Sequence, residues 1–127
     1  MKASKVFEDS VACIVKTESQ RFTEILNNHA INLNSKGNKG WSLLHYAAQY
    51  NALEIADFLI KQGAEVNSKD EFGNNVLWRA TFASNGKGDL IKLLIANGAD
   101  KFEKNIRGIS PIELANTISN YNVNQYF

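Results

Sequence analysis

A chain of 127 residues is the length of one domain and long enough to bury a core without disulfides or metal. Its hydrophobic fraction of 44% and charged fraction of 21% are ordinary for a folded protein and argue against disorder. The formal net charge is +1, with basic and acidic residues interspersed. No field draws in nucleic acid or an anionic membrane, so neither is expected as a partner.

The chain opens with a basic stretch from Lys2 to Lys5, followed by the apolar run Val11-Ala12-Cys13-Ile14-Val15. A secretory core needs about 7–15 uninterrupted apolar residues, and this run is shorter and sits just behind Glu8 and Asp9. Val11-Ala12-Cys13 has the look of a lipoprotein cleavage site but lacks the apolar stretch before it. No segment approaches the roughly 20 apolar residues of a membrane span. Cys13 is the single cysteine, so an internal disulfide is impossible, and a cytoplasmic location is expected.

From Val11 onward the elements repeat. Val11, Ile14 and Val15, then Phe22, Ile25 and Leu26, form two apolar stripes at helical spacing. Shifted by 33 residues they fall on Leu44, Ala47 and Ala48, then on Ile55, Phe58 and Leu59. The same shift pairs Leu33 with Val66, Asn34 with Asn67, Gly40 with Gly73, Leu44 with Leu77 and Ala47 with Ala80. Further on the offset is 35, matching Gly63-Ala64-Glu65 to Gly98-Ala99-Asp100 and Gly73 to Gly108. The extra residues lie between Ala83 and Gly88, where Ser84-Asn85-Gly86-Lys87-Gly88 reads as a loop, the cheapest place for an insertion.

Each unit is predicted to run helix, turn, helix. Asn51 separates the two stripes of the second unit, and Gly63 stands where a left-handed residue ends its second helix. Ser42, Asn75 and Ser110 stand at helix N-cap positions, with Pro111 at the first helical position after Ser110. Ala47 and Ala48 allow close helix approach. Val123, Tyr126 and Phe127 are placed to dock back as an apolar cap. A unit of this size cannot bury its own apolar face, so neighbours must cover one another.

Gly40-Trp41-Ser42-Leu43-Leu44-His45-Tyr46-Ala47-Ala48 resembles the ankyrin segment G-x-T-P-L-H-x-A-A. Leu53-Glu54-Ile55, with Leu59-Ile60-Lys61-Gln62-Gly63-Ala64-Glu65-Val66-Asn67, is similar to the second half of that repeat, and the 33-residue spacing is that of the family. The third unit is looser, with Trp78 in place of the usual His and Phe102 in place of the usual Asn. The first unit lacks the turn motif, and the last begins at Gly108-Ile109-Ser110-Pro111. The resemblance implies an all-α ankyrin-repeat solenoid of about four helix–turn–helix units with degenerate terminal caps. The units approximate 1–36 as an N-cap, 37–69, 70–104 and 105–127 as a C-cap, one domain over 1–127.

No residue pattern offers catalysis, and no metal or cofactor is expected. His45 takes the place of the family's framework His, a hydrogen-bonding post between turns, and His29 sits near a helix end where it suits the dipole. Cys13 lacks a neighbouring base and reads as a half-buried, inert thiol. Gly86-Lys87-Gly88 matches neither phosphate-binding glycine pattern. Glu8-Asp9 and Asp70-Glu71 read as exposed carboxylates, and Trp78 as core.

The resemblance implies that turn tips and inner helices form a concave face for a protein partner. Its contact positions fall on Asn38, Lys39, Trp41, Gln49 and Tyr50 in the second unit. They continue on Glu71, Phe72, Asn74 and Phe82 in the third and on Ile106, Arg107 and Ile109 in the last, with Arg79 added as an orienting charge. Trp41, Tyr50, Phe72, Phe82, Ile106 and Ile109 are apolar where a solvent face would be polar, the composition of a binding hot spot. The expected function is a non-enzymatic module that binds one protein partner and is monomeric when free. The resemblance to small bacterial ankyrin proteins offers an immunity or inhibitor protein against a toxin or enzyme as an alternative, on the expectation of a complete chain. A regulatory or scaffold domain of a larger protein is the other.

Overall fold

Short polar side chains start the helices where the sequence places them. In the computed structural model, which describes residues 4–118 and 120–127, Ser42 Oγ accepts from the His45 amide, Asn75 Oδ1 from Trp78 and Ser110 Oγ from Glu113. The elements they help define are α1 (Lys5–Val15), α2 (Ser19–Asn28), α3 (Leu43–Gln49), α4 (Leu53–Lys61), α5 (Val76–Ala83), α6 (Asp89–Ala96) and α7 (Pro111–Thr117). Single 3-10 turns cover Asn38–Gly40 and Val123–Tyr126. Gly63 and Gly98, at φ +95° and +90°, follow α4 and α6 and stop them without a Cβ clash. Among the described residues there is no strand; two isolated bridges, Lys36 to Ser42 and Lys69 to Asn75, close the hairpin-like tips.

The helices pack as an all-α repeat fold in two rows. An inner row runs α1, α3, α5, α7, and an outer row α2, α4, α6, with the last 3-10 turn closing against α7. Ala47 and Ala80 hold equivalent places in the inner row and are both buried, which lets α3 and α5 approach closely. Ile14, Phe22, Leu44, Ile55, Leu59, Leu77, Ile91 and Leu94 fill the space between the rows, each about fully buried. Burying such a side chain is worth about 1.5–3 kcal/mol, and here every unit does so against its neighbour.

Hydrogen bonds at the repeat spacing lock the register. Asn34 Oδ1 accepts from the Glu65 amide at 2.9 Å, and Asn67 Oδ1 from Asp100 at 2.8 Å. Phe102 takes the next place in this ladder and is exposed, so the ladder ends there. On the tips, Glu71 N–H donates to the Lys39 carbonyl at 2.9 Å and Ile106 N–H to the Phe72 carbonyl at 3.0 Å. Gly40 makes this approach possible: its φ is +72°, and a Cβ would stand 2.8 Å from the Glu71 nitrogen.

His45 is the post that its position implied. It is fully buried; Nε2–H donates to the Asn74 carbonyl of the next tip at 3.0 Å, and Nδ1 accepts from the Ser42 amide. Burial holds its pKa below the ordinary 6.5, although the Asn74 carbonyl pulls the other way. His29 Nδ1 donates to the Ile25 carbonyl at the end of α2. Two readings need correction. Asp70 is buried, not solvated, because its carboxylate braces a tip. Cys13 is fully, not half, buried, and that burial pushes its thiol pKa up.

At the far end, Val123 is fully buried and Tyr126 and Phe127 lie against the core, as their spacing suggested. The inserted loop receives them. Tyr126 donates its hydroxyl to the Gly86 carbonyl at 3.1 Å, and its ring covers Gly88.

Two outcomes follow. Gly88→Ala would set a Cβ 2.3 Å from the Tyr126 ring; this should cost about 1–3 kcal/mol and loosen the 123–127 cap, measurable by urea denaturation and amide exchange. For His45, a depressed folded pKa means stability is full above the unfolded value of 6.5 and is lost as pH falls toward the folded one. The loss should reach at most about 1.4 kcal/mol per pH unit, and His45→Gln, though less stable throughout, should lack that part of the slope in denaturation curves.

Candidate protein-binding face

The tips and the exposed sides of α3 and α5 carry the expected contact residues. Each of the last two tips is braced from inside by a carbonyl-type oxygen. Asp70 Oδ1 accepts from the Phe72 and Asn74 amides, both at 2.9 Å, and Asn105 Oδ1 from Arg107 and Ile109 at 2.9 and 3.0 Å. The first tip has Gly37 at this place, where the Phe7 ring of α1 would lie 2.7 Å from a Cβ. This bracing pushes the residues between the brace points outward. Phe72 is 47% exposed and Ile106 72%, and Asn38, Lys39, Glu71 and Arg107 are exposed beside them.

Not every expected contact residue reaches solvent. Trp41 is only 8% exposed. Its indole N–H donates to Asp70 Oδ2 at 3.2 Å, and its ring packs edge-on against Tyr46 with centroids 5.1 Å apart. The bond to Asp70 ties the first tip to the second, so Trp41 is a structural wedge and not an exposed anchor. Asn74 is buried as well, its Oδ1 accepting from Asn105 Nδ2 at 2.8 Å. Both expectations failed for one reason: a tip residue has a neighbouring tip to bond, and these two have the chemistry to do so. Gln49, Arg79 and Ile109 are half-buried, and Tyr50 and Phe82 are exposed, Phe82 at 59%.

Trp78 departs from the core role expected of it. It occupies the register of His45, yet it is half-buried and stacks flat on Phe82, at 5.6 Å between centroids and 10° between planes. Its indole N–H is buried without a hydrogen-bond partner among the described residues, so the bond His45 makes has no equivalent here. The α5 sequence explains the stack, because Trp78 and Phe82 are one helical turn apart on its exposed side. Between Trp78 and Trp41 lies Arg79, its guanidinium carbon 4.9 Å from the Trp41 ring centroid and 5.3 Å from those of Trp78 and Phe82. Burial lowers the Arg79 pKa and nearby Asp70 opposes the shift. Lys39 lies over the Trp41 ring at 5.4 Å. The signal for this cluster was present in Trp78-Arg79-Phe82, but it needed Trp41 from a different unit to complete it.

The surface is not continuous. Among the described residues no tip of the first unit stacks on Gly37–Gly40, and a cleft of about 950 Å³ opens between them and α1, lined by Phe7, Glu8, Val11, Asn38, Lys39 and Tyr46. Asn38 and Lys39 therefore face this cleft, while Phe72, Phe82 and the Trp78 stack belong to the middle of the molecule. Among the described residues no group of acidic, His or Cys side chains could hold a metal, and no helix is long and apolar enough to cross a membrane.

Trp41→Ala should destabilise the chain by about 3 kcal/mol, as for a buried aromatic, whereas Phe82→Ala should cost less than about 1 kcal/mol. Chemical denaturation of the two variants separates the wedge from the exposed ring.

Comparison with known proteins agrees with this architecture. A family model described as ankyrin repeats (3 copies) matches residues 10–105. A putative ankyrin repeat protein of Rickettsia felis is 32% identical over 97 residues, covering 71% of this chain and 43% of that protein. Protein phosphatase 1 regulatory subunit 27 of Homo sapiens is 36% identical over 75 residues, 59% of this chain and 47% of its own length. The E3 ubiquitin-protein ligase Ufd4 of Drosophila melanogaster is 27% identical over 105 residues, 83% of this chain but 4% of that protein. The chain thus spans less than half the length of each of these relatives. Paired helices at a 33-residue repeat, a buried His post between tips and the family match over 10–105 together place this chain in the ankyrin-repeat family, whose repeats mediate protein–protein interaction.

Proposed function

We propose that this chain binds one protein partner through the face formed by its tips and inner helices. The observation that carries this reading is the exposure of large apolar side chains along the tips and inner helices: Tyr50 at 43%, Phe72 at 47%, Phe82 at 59% and Ile106 at 72%. Single exposed apolar residues are ordinary, but a group of them flanked by Lys39, Glu71 and Arg107 has the make-up of a hot spot with a charged rim. Phe72 and Phe82 supply the anchors, and the rim charges set orientation and encounter rate. Gln49, Ile109 and the buried Trp41 and Asn74 shape the surface from beneath.

Within that reading, the partner is an enzyme whose activity the binding restrains, either as an inhibitor or immunity protein or as a regulatory subunit. The similarity to protein phosphatase 1 regulatory subunit 27 supports a regulatory role, over the part of the chain that matches. A cytoplasmic setting fits the free, buried Cys13.

The variant Phe72→Ala/Phe82→Ala should keep its fold by circular dichroism and lose at least about tenfold in affinity for a partner captured from native extract, since hot-spot rings contribute about 2 kcal/mol or more each. Affinity unchanged within a factor of about two would remove these rings from the interface.

A further inference from the structure

We propose that the Arg79 guanidinium, held between Trp41, Trp78 and Phe82, is a receptor for a carboxylate, so that the partner's contacting segment is acidic. This rests on the reading of the face as a partner-binding surface and names the chemistry that the surface selects. In the inner row, Arg79 occupies the register of Cys13 and Tyr46 and, past the inserted residues, of Leu114. Three of the four side chains at this register are apolar or weakly polar, and Cys13 and Tyr46 pack into the core. The fourth is a cation held without a contact ion pair: none reaches Arg79 among the described residues, Asp70 acts on it only through its nearby charge, and its Nε is buried without a hydrogen-bond partner. The nearest carboxylate, on Asp70, is spent on the Phe72 and Asn74 amides and the Trp41 indole.

Three aromatic rings within 5.3 Å hold the guanidinium in one place and shield it from water. A cation so placed has lost hydration without gaining a contact ion pair, and the Asp70 charge and aromatic stacking return only part of the cost. A carboxylate meeting its outer nitrogens gains a paired, charge-assisted contact in a partly desolvated setting, where such contacts are strongest. The surroundings favour the same sign. Lys39 lies over the Trp41 ring at 5.4 Å and Arg107 is exposed on the last tip, with Glu71 the exposed acid on the tip between them. The exposed Phe82, stacked on Trp78 beside the guanidinium, gives an acidic segment an apolar neighbour to rest on.

The test uses the whole chain and two short peptides, acetyl-Leu-Asp-Glu-Leu-amide and its twin with Asn and Gln in place of the acids. Titration is followed by the indole N–H signals of Trp41 and Trp78 and the Arg79 Nε–H signal in nitrogen–proton correlation spectra. The acidic peptide should shift the Trp78 and Arg79 signals in a saturable, salt-weakened way and bind at least about tenfold more tightly than its neutral twin. Arg79→Leu should abolish that preference, and Arg79→Lys, which keeps the charge but loses the planar fork, should retain a reduced one. Equal binding of the two peptides, an unchanged preference in Arg79→Leu, or the absence of shifts at millimolar peptide would overturn the assignment. So would shifts that depend on protein concentration alone, which would mark a second copy of the chain as the occupant. If the peptides fail while Phe72→Ala/Phe82→Ala still releases the captured partner, the carboxylate receptor falls and the binding face stands; if both fail, the face falls too.

Discussion

The junction between the second and third helix pairs carries the molecule. There the Ala47 and Ala80 faces let α3 and α5 close on each other, and His45 spans from its own cap to the Asn74 carbonyl of the next tip. Trp41 reaches across to Asp70, and the Glu71 amide reaches back to Lys39. None of these contacts is local in sequence; each joins residues about one repeat apart. A helix pair of this length has too little apolar surface to fold alone, so the junction supplies stability and sets the relative position of the tips.

That dual role decides which side chains are left for a partner. A tip residue able to bond its neighbour is drawn inward, as Trp41 and Asn74 are. A residue whose side chain has no such bond, such as Phe72 or Ile106, is turned out by the brace, although the backbones of these two bond each other across the tips. The exposed apolar surface is thus the remainder after stacking has taken its share. Trp78 shows the same selection reversed. In the place where His45 makes a buried bond, an indole leaves its N–H unpartnered and lies instead against Phe82, at a cost to the framework. A framework position has been given over to the surface, the local inconsistency expected where function and packing compete.

The two ends solve the problem of a missing neighbour differently. At the first unit no tip is present among the described residues, Phe7 fills against Gly37, and a cleft remains beside it. At the last, the chain folds back, and Val123, Tyr126 and Phe127 cover α7 and the inserted loop. The loop that lengthens the third repeat thereby serves as the seat of the cap, with Gly86 and Gly88 leaving room for two tyrosine rings. An insertion that breaks the period is here part of what closes the stack.

The sequence by itself determined the architecture: the 33-residue shift, the alternation of short and long apolar stripes, and the caps at Ser42, Asn75 and Ser110 all follow from spacing along one chain. Local periodicity dictates helices, and identical units dictate that their apolar sides stack. Which residues of the face are exposed was decided only by tertiary structure. Trp41, Asp70 and Asn74 looked like surface because each sits in a turn, and they are buried because the adjoining turn, one repeat away, offers a partner for each. Arg79 looked like a rim charge, and it became a caged cation only when Trp41 from the preceding unit closed over it. Helix positions are read from neighbours in sequence, whereas burial at a tip depends on the atoms that another unit brings to it.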